Sequence, residues 1–186
     1  GGYVDNDFGA NGFYAPPADV ESKETVQTGI AALNGDFLVK AGWHIRPSIS
    51  YRYNHDNYIF IRQDPSFYEN NHFTNVLDAT LNNSIATTYG ELGLGVEFRK
   101  EAINSNSLGD WNRSDYGFYA EYSFTKIKKA TINAGAYLNY SKFFGWKLLP
   151  SIDAGYRLSQ NWRLFANAGT GTRVPTYTDW YYNGPA

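Results

Sequence analysis

Asp115-Tyr116-Gly117-Phe118-Tyr119-Ala120-Glu121-Tyr122-Ser123-Phe124-Thr125 has a period of two. Tyr116, Phe118, Ala120, Tyr122 and Phe124 take one set of alternate positions. Asp115, Gly117, Tyr119, Glu121, Ser123 and Thr125 take the other. Successive side chains of an extended strand point to opposite faces, so this is a strand with one apolar and one polar side. Aromatic residues sit toward its ends and Ala120 lies between them.

The same alternation recurs on both sides of this stretch. Downstream, Ile132, Ala134, Ala136, Leu138 and Tyr140 oppose a small and polar set, as do Leu148, Ile152, Ala154, Tyr156 and Leu158. Upstream, Leu92, Leu94, Val96 and Phe98 oppose Glu91, Gly93, Gly95, Glu97 and Arg99. Phe73, Leu77, Leu81 and Ile85 mark another strand, and Ile45, Ile49, Tyr51 and Tyr53 one more. Residues 162–169 alternate less cleanly, and residues 21–33 are assigned to a strand mainly by position. About eight strands are expected, several longer than the usual 5–6 residues. No helix period is evident. Residues 1–20 are rich in Gly, Pro and polar groups and read as a loop.

Short and long connections alternate. Asn34-Gly35 is a hairpin signal. Thr87-Thr88, residues 126–129 and residues 159–161 are short; residues 54–71 and 104–112 are longer, and 143–146 moderate. Short turns at one end with longer loops at the other fit a transmembrane barrel with periplasmic turns and extracellular loops. Within the strands, Arg46, Arg52, Asp78, Glu91, Glu97, Arg99, Glu121, Asp153 and Arg157 all fall opposite the apolar set. A charge facing lipid at mid-bilayer costs roughly 2–4 kcal/mol, so a barrel needs this sorting. A soluble β-sandwich sorts its residues in the same way; its mark would be apolar faces buried between two layers.

Composition narrows the classes. The chain has 186 residues, with Lys plus Arg 16 against Asp plus Glu 18, a formal charge of −2. That balance argues against nucleic acid as a partner. There is no cysteine, which excludes disulfides and thiol chemistry. There is no methionine either, so the chain is expected to be processed or a piece of something longer. Aromatics make up 18% of the chain, with 16 Tyr, 12 Phe and 5 Trp. Such a share suits interfacial girdles.

The run Thr172-Arg173-Val174-Pro175-Thr176-Tyr177-Thr178-Asp179-Trp180-Tyr181 resembles TonB-dependent outer-membrane receptors. In that family a barrel strand ends in a run of a hydroxyl residue with Arg-x-Pro, followed by Asp, an aliphatic or aromatic residue, and Tyr. The matching positions are Thr172, Arg173, Pro175, Asp179, Trp180 and Tyr181; Trp180 stands where Leu is commoner. Residues 65–74 are similar to the cobalamin-receptor-like branch of Bacteroidetes-type bacteria. The resemblance implies a barrel of about 22 strands closed by a plug, of which residues 1–186 are a partial barrel domain without the plug. It implies an outer-membrane receptor for energy-coupled uptake of a scarce nutrient, cobalamin or a ferric siderophore. The implied partners are outer-membrane lipid, the TonB complex acting through the plug, and a surface lipoprotein. A complete eight-stranded barrel with a structural or adhesive role, and a passive porin, remain as alternatives.

The candidate ligand-binding residues are aromatics and arginines in the long loops, the types that dominate binding hot spots. They are Tyr58, Arg62, Phe67, Tyr68, Trp111, Arg113, Tyr177, Trp180 and Tyr181. Membership of the outer aromatic girdle is the competing reading for several of them. Arg173 is expected to reach a carboxylate inside the barrel or the plug, and Pro175 to end strand pairing because it lacks an N–H. No enzyme is expected. Ser48 and Ser50 lie near His44, but no Gly-x-Ser-x-Gly elbow accompanies them. His44, His55 and His72 share no metal-ligand spacing, and neither Asp5-Asn6-Asp7 nor residues 104–115 has calcium-loop spacing. No metal and no cofactor are expected.

Overall fold

The computed structural model describes residues 1–11 and 21–182. The strands are β1 (Gly2–Gly9), β2 (Lys23–Asn34), β3 (Phe37–Lys40), β4 (Trp43–Ile59), β5 (Glu69–Ala86), β6 (Gly90–Ser105), β7 (Trp111–Phe124), β8 (Ala130–Ser141), β9 (Gly145–Arg157) and β10 (Arg163–Gly169). A five-residue helix, α1 (Tyr177–Tyr181), follows. All ten strands form one antiparallel sheet in the order β1-β2-β4-β5-β6-β7-β8-β9-β10, with β3 also on β4. Neighbouring strands satisfy each other's backbone groups, as a membrane wall requires.

The expected alternation holds, and the sheet is a single layer. The apolar set faces outward and open: Phe118 is 44% exposed, Leu148 64% and Ile152 52%. Among the described residues no second sheet covers them, which excludes the sandwich. Phe98, Tyr116, Tyr140 and Trp146 are successive register partners on β6, β7, β8 and β9. Their rings are 5.3, 6.3 and 4.9 Å apart along the row. This row is an aromatic girdle at one level of the wall. Ala120, Ala136 and Pro150 form a row of small residues below it. Tyr122 and Phe124 then mark the other end of β7, with their rings 4.6 Å apart.

Several expectations are corrected. There are ten strands rather than about eight. Part of the expected N-terminal loop is β1, paired with β2 along its whole length from Gly2↔Ile30 to Gly9↔Lys23. Residues 12–20 of that stretch lie outside the described residues, as do Gly184 and Pro185 at the far end. Asn34-Gly35 is not a reversal. The Gly35 amide still donates to the Pro47 carbonyl at 3.0 Å, and β3 continues the same line along β4. The chain turns instead at Ala41-Gly42, where Gly42 has φ +79°, a backbone conformation that favours glycine. β4 and β5 run to 17 and 18 residues, so the loop between them is residues 60–68 rather than 54–71. The β8–β9 connection tightens to residues 142–144. With β1 and β10 at opposite ends of an open sheet, the strands do not form a closed eight-stranded barrel.

The polar face carries a repeated device. Tyr119 on β7 lies across Gly95 on β6, and its hydroxyl reaches Asn82 Oδ1 on β5 at 3.1 Å. Tyr137 on β8 lies across Gly117 on β7 and reaches Glu97 Oε2 on β6 at 3.3 Å. Arg163 on β10 lies across Gly155 on β9 and reaches Thr131 Oγ1 on β8 at 2.9 Å. In each case a long side chain crosses a glycine and bonds one strand further on. A Cβ on Gly95 would sit 2.0 Å from the Tyr119 ring, and one on Gly117 2.1 Å from the Tyr137 hydroxyl. These positions need glycine because another side chain occupies the space.

Candidate functional site

Loops 60–68, 106–110 and 142–144 leave the sheet at the same end, and β10 runs toward it, stopping level with Ser151 of β9. Residues 170–182 then fold back against the rim. The local fold of this segment follows from its sequence. Thr176 is the N-cap of α1: its hydroxyl accepts from the Asp179 amide at 3.1 Å, and the Asp179 carboxylate accepts from the Thr176 amide at 2.8 Å. This is a capping box. Arg173 Nη2 donates to the same carboxylate at 3.0 Å. The Thr176 backbone and side chain, with Arg173 adding its charge, hold the Asp179 pKa below the usual carboxylate range. The Arg-x-Pro-Thr-x-x-Asp run is therefore a helix-start device. Arg173 satisfies a carboxylate of its own motif, not one inside the barrel, and its side chain is 77% exposed. Pro175 does not end strand pairing, because β10 has already stopped at Gly169. Thr172 is exposed in the irregular segment before it.

Beneath α1 the polar wall carries a row of alternating charges. Arg99 Nη1 bonds Asp78 Oδ1 at 2.8 Å, and Arg99 also grips Glu101 through Nε at 2.9 Å and through Nη2. Glu101 pairs with Arg113 through its other oxygen. Both Glu101 and Arg113 are about nine-tenths buried at their side chains. Arg113 then leaves the wall: Nη1 donates to the Pro175 carbonyl at 2.7 Å, and the guanidinium sits 4.9 Å from the Tyr177 ring centroid. The Tyr177 hydroxyl donates to the Glu101 carbonyl at 3.3 Å. Tyr177 packs with Ile103 and Leu108 in a small buried cluster that Tyr181 flanks. Burial pushes the Tyr177 phenol up to about 12, against the lowering pull of Arg113.

The rest of α1 touches the loops. Tyr181 stacks on Trp111 with centroids 3.9 Å apart and planes 5° from parallel. Trp180 lies 5.0 Å from Phe143 and 5.6 Å from Phe144. Tyr182, the C-cap, lies beside the Tyr68 phenol, whose proximity raises the Tyr182 pKa. Of the expected binding residues, Tyr68, Trp111, Arg113, Tyr177, Trp180 and Tyr181 thus meet in one assembly. The others stand apart from it. Tyr58 is buried within β4 rather than in a loop, just as Trp111 and Arg113 stand on β7 rather than in a loop. The Arg62 amide donates to the Glu21 carbonyl at 2.8 Å. Phe67 is 65% exposed, with its ring 6.0 Å from Phe60. Phe143, Phe144 and Glu101 were missed from sequence; a Phe-Phe pair in a short loop was the one available signal. Among the described residues no group of three His, Asp or Glu side chains converges in a metal-binding arrangement. Asp5 and Asp7 lie in β1 and bond Gln27 and Lys23.

A one-layer wall with an open apolar face, an aromatic girdle and a polar inner face defines an outer-membrane barrel. The family model for the TonB-dependent receptor-like β-barrel matches residues 1–186. The chain belongs to the TonB-dependent receptor β-barrel family. Its place is the bacterial outer membrane, and the apolar face is the lipid face. Eleven solved chains resemble this TonB-dependent receptor wall. One is the siderophore receptor PirA from Pseudomonas aeruginosa, with a TM-score of 0.68 at 17% identity. The match covers 83% of this chain and 28% of that receptor, so the chain spans just over a quarter of its length. No curated protein matches the sequence.

Proposed function

We propose that this chain is part of the barrel domain of a receptor that imports a scarce, bulky nutrient across the outer membrane. The nutrient is of the ferric siderophore or cobalamin class. The observation that carries the reading is the wall itself: a lipid-type outer face, a polar inner face and an aromatic rim on ten strands of one open sheet. A sheet this wide fits a barrel with room for a plug and a passing ligand. Substrate binds the rim and the plug, and the TonB complex supplies the work by moving the plug. The barrel performs no bond-making chemistry. Tyr68, Trp111, Trp180 and Tyr181 offer flat aromatic area at the rim, which suits a corrin or a chelate, and Arg62 and Phe67 lie on the neighbouring loop. A surface lipoprotein is a further partner of this reading.

The test is growth. A strain lacking the full-length receptor is supplied with limiting cobalamin or a limiting ferric siderophore as sole source. The reading expects growth restored by the receptor and lost again without TonB. Restoration that persists without TonB would mean passive passage and would refute energy coupling.

A further inference from the structure

We propose that residues 172–182 are a keystone locking three rim loops together, and that Arg113 is the positioning residue that latches it to the barrel wall.

A helix of five residues does not persist by itself, so contacts set the position of α1. Two side chains of α1 and its C-cap each address a different rim segment: Tyr182 lies beside Tyr68, Tyr181 stacks on Trp111 at the start of β7, whose Nε1 donates to the Leu108 carbonyl in loop 106–110 at 2.6 Å, and Trp180 meets Phe143 and Phe144. These loops are far apart in sequence; Asn106 ties loop 106–110 to the start of β5 through the Glu69 carbonyl at 2.7 Å and the Asn71 amide at 2.8 Å, and α1 is the element that touches all three. Its attachment to the wall runs through Arg113. One planar guanidinium pairs with Glu101, donates to the Pro175 carbonyl at 2.7 Å and covers the Tyr177 ring at 4.9 Å. Lysine at this position keeps the charge opposite Glu101 but offers a single ammonium point, which cannot also fork to the carbonyl and lie flat on the ring.

The seated arrangement also leaves a mismatch below it. Arg113 Nε, Asp115 Oδ1 and Ser141 Oγ are buried with no hydrogen-bond partner among the described residues. Asp115 and Ser141 are register partners on β7 and β8, and Ser141 is only 1% exposed. Buried polar atoms left without partners favour an alternative in which water reaches them. Tight contacts above and unpaired groups below describe an element with two positions. Leaving the seated one removes the α1 contact from loops 60–68, 106–110 and 142–144 together.

The test is hydrogen exchange on the full-length receptor in lipid, read by mass spectrometry, with heat-modifiable migration confirming an intact barrel. Arg113→Lys is expected to raise exchange roughly tenfold in residues 172–182 and in all three loops together, with the β8–β9 ladder unchanged. Trp180→Ala is expected to free 142–144 while 106–110 stays protected. Should Arg113→Lys fail to assemble, Tyr177→Phe removes the hydroxyl bond to Glu101, keeps the ring, and is expected to free the same four segments. Wild-type exchange in the loops, or faster exchange confined to 172–182, would overturn the keystone. Release of 106–110 by Trp180→Ala would overturn Arg113 as its latch.

Discussion

Ala120→Arg puts the orientation of the wall to a quantitative test. Ala120 lies on the outward face of β7, midway between Tyr116 and Phe124, and pairs with Leu94 and Ala136 on either side. Four residues of strand are about 13 Å, or roughly 10 Å along the membrane normal at a tilt near 40°. The side chain therefore meets the middle of the ~25 Å apolar band, where arginine costs about 2–4 kcal/mol. At 1.4 kcal/mol per factor of ten, a cost near 3 kcal/mol lowers the folded-to-unfolded ratio by roughly a hundredfold. Ala120→Leu supplies bulk without charge. Ser123→Arg places the same charge on the inner face, where Ser123 pairs with Glu91. The assay is urea-dependent folding of the full-length receptor into vesicles, read from tryptophan fluorescence and heat-modifiable migration. The expected order is Ala120→Leu above Ser123→Arg, with Ala120→Arg well below both. Equal stability of the Ala120→Arg and Ala120→Leu proteins would refute the lipid assignment of that face.

Three further outcomes are expected. Gly117→Val pushes a side chain into the space of Tyr137, breaks its bond to Glu97 and costs about 1–3 kcal/mol, measured as a lowered urea midpoint. Glu101→Gln leaves Arg99 and Arg113 facing a neutral group; breaking such a pair costs about 3–5 kcal/mol, seen as reduced folded yield. Asp179 has a folded-state pKa below its unfolded value, so its contribution to the cap of α1 is complete above the unfolded pKa and is lost as pH falls through the folded one. Hydrogen exchange at residues 177–181, corrected for intrinsic rate, is expected to accelerate as pH drops below the normal carboxylate range, and Asp179→Asn is expected to remove that pH dependence.

The central strands were legible because the two faces of the wall meet different solvents. Between Leu92 and Leu158, lipid on one side and a polar interior on the other impose a strict alternation. Above the girdle both faces are wet, and the signal fades. That is why β1, with Asp5, Asn6 and Asp7, looked like loop. It is also why the upper ends of β4 and β5 were cut short: outward-facing His55 and Asn71 bond each other across the strands at 2.7 Å and leave no apolar mark. Asn34-Gly35 misled because a turn dipeptide also fits a break within an edge whose partner continues. The start of α1 was readable in Thr176-x-x-Asp179, a signal that needs no helical period. The latch was not readable. Arg113 and Pro175 are 62 residues apart, and only the sheet register brings β7 beneath the chain that follows β10.

The glycine crossings set the relief of the inner face. A ring lying flat adds about 3.5 Å to the wall, well under the length of the same side chain standing upright. With Tyr119, Tyr137 and Arg163 laid down sideways and tied at their tips, the polar face is flatter at these three crossings than side chains of that length suggest.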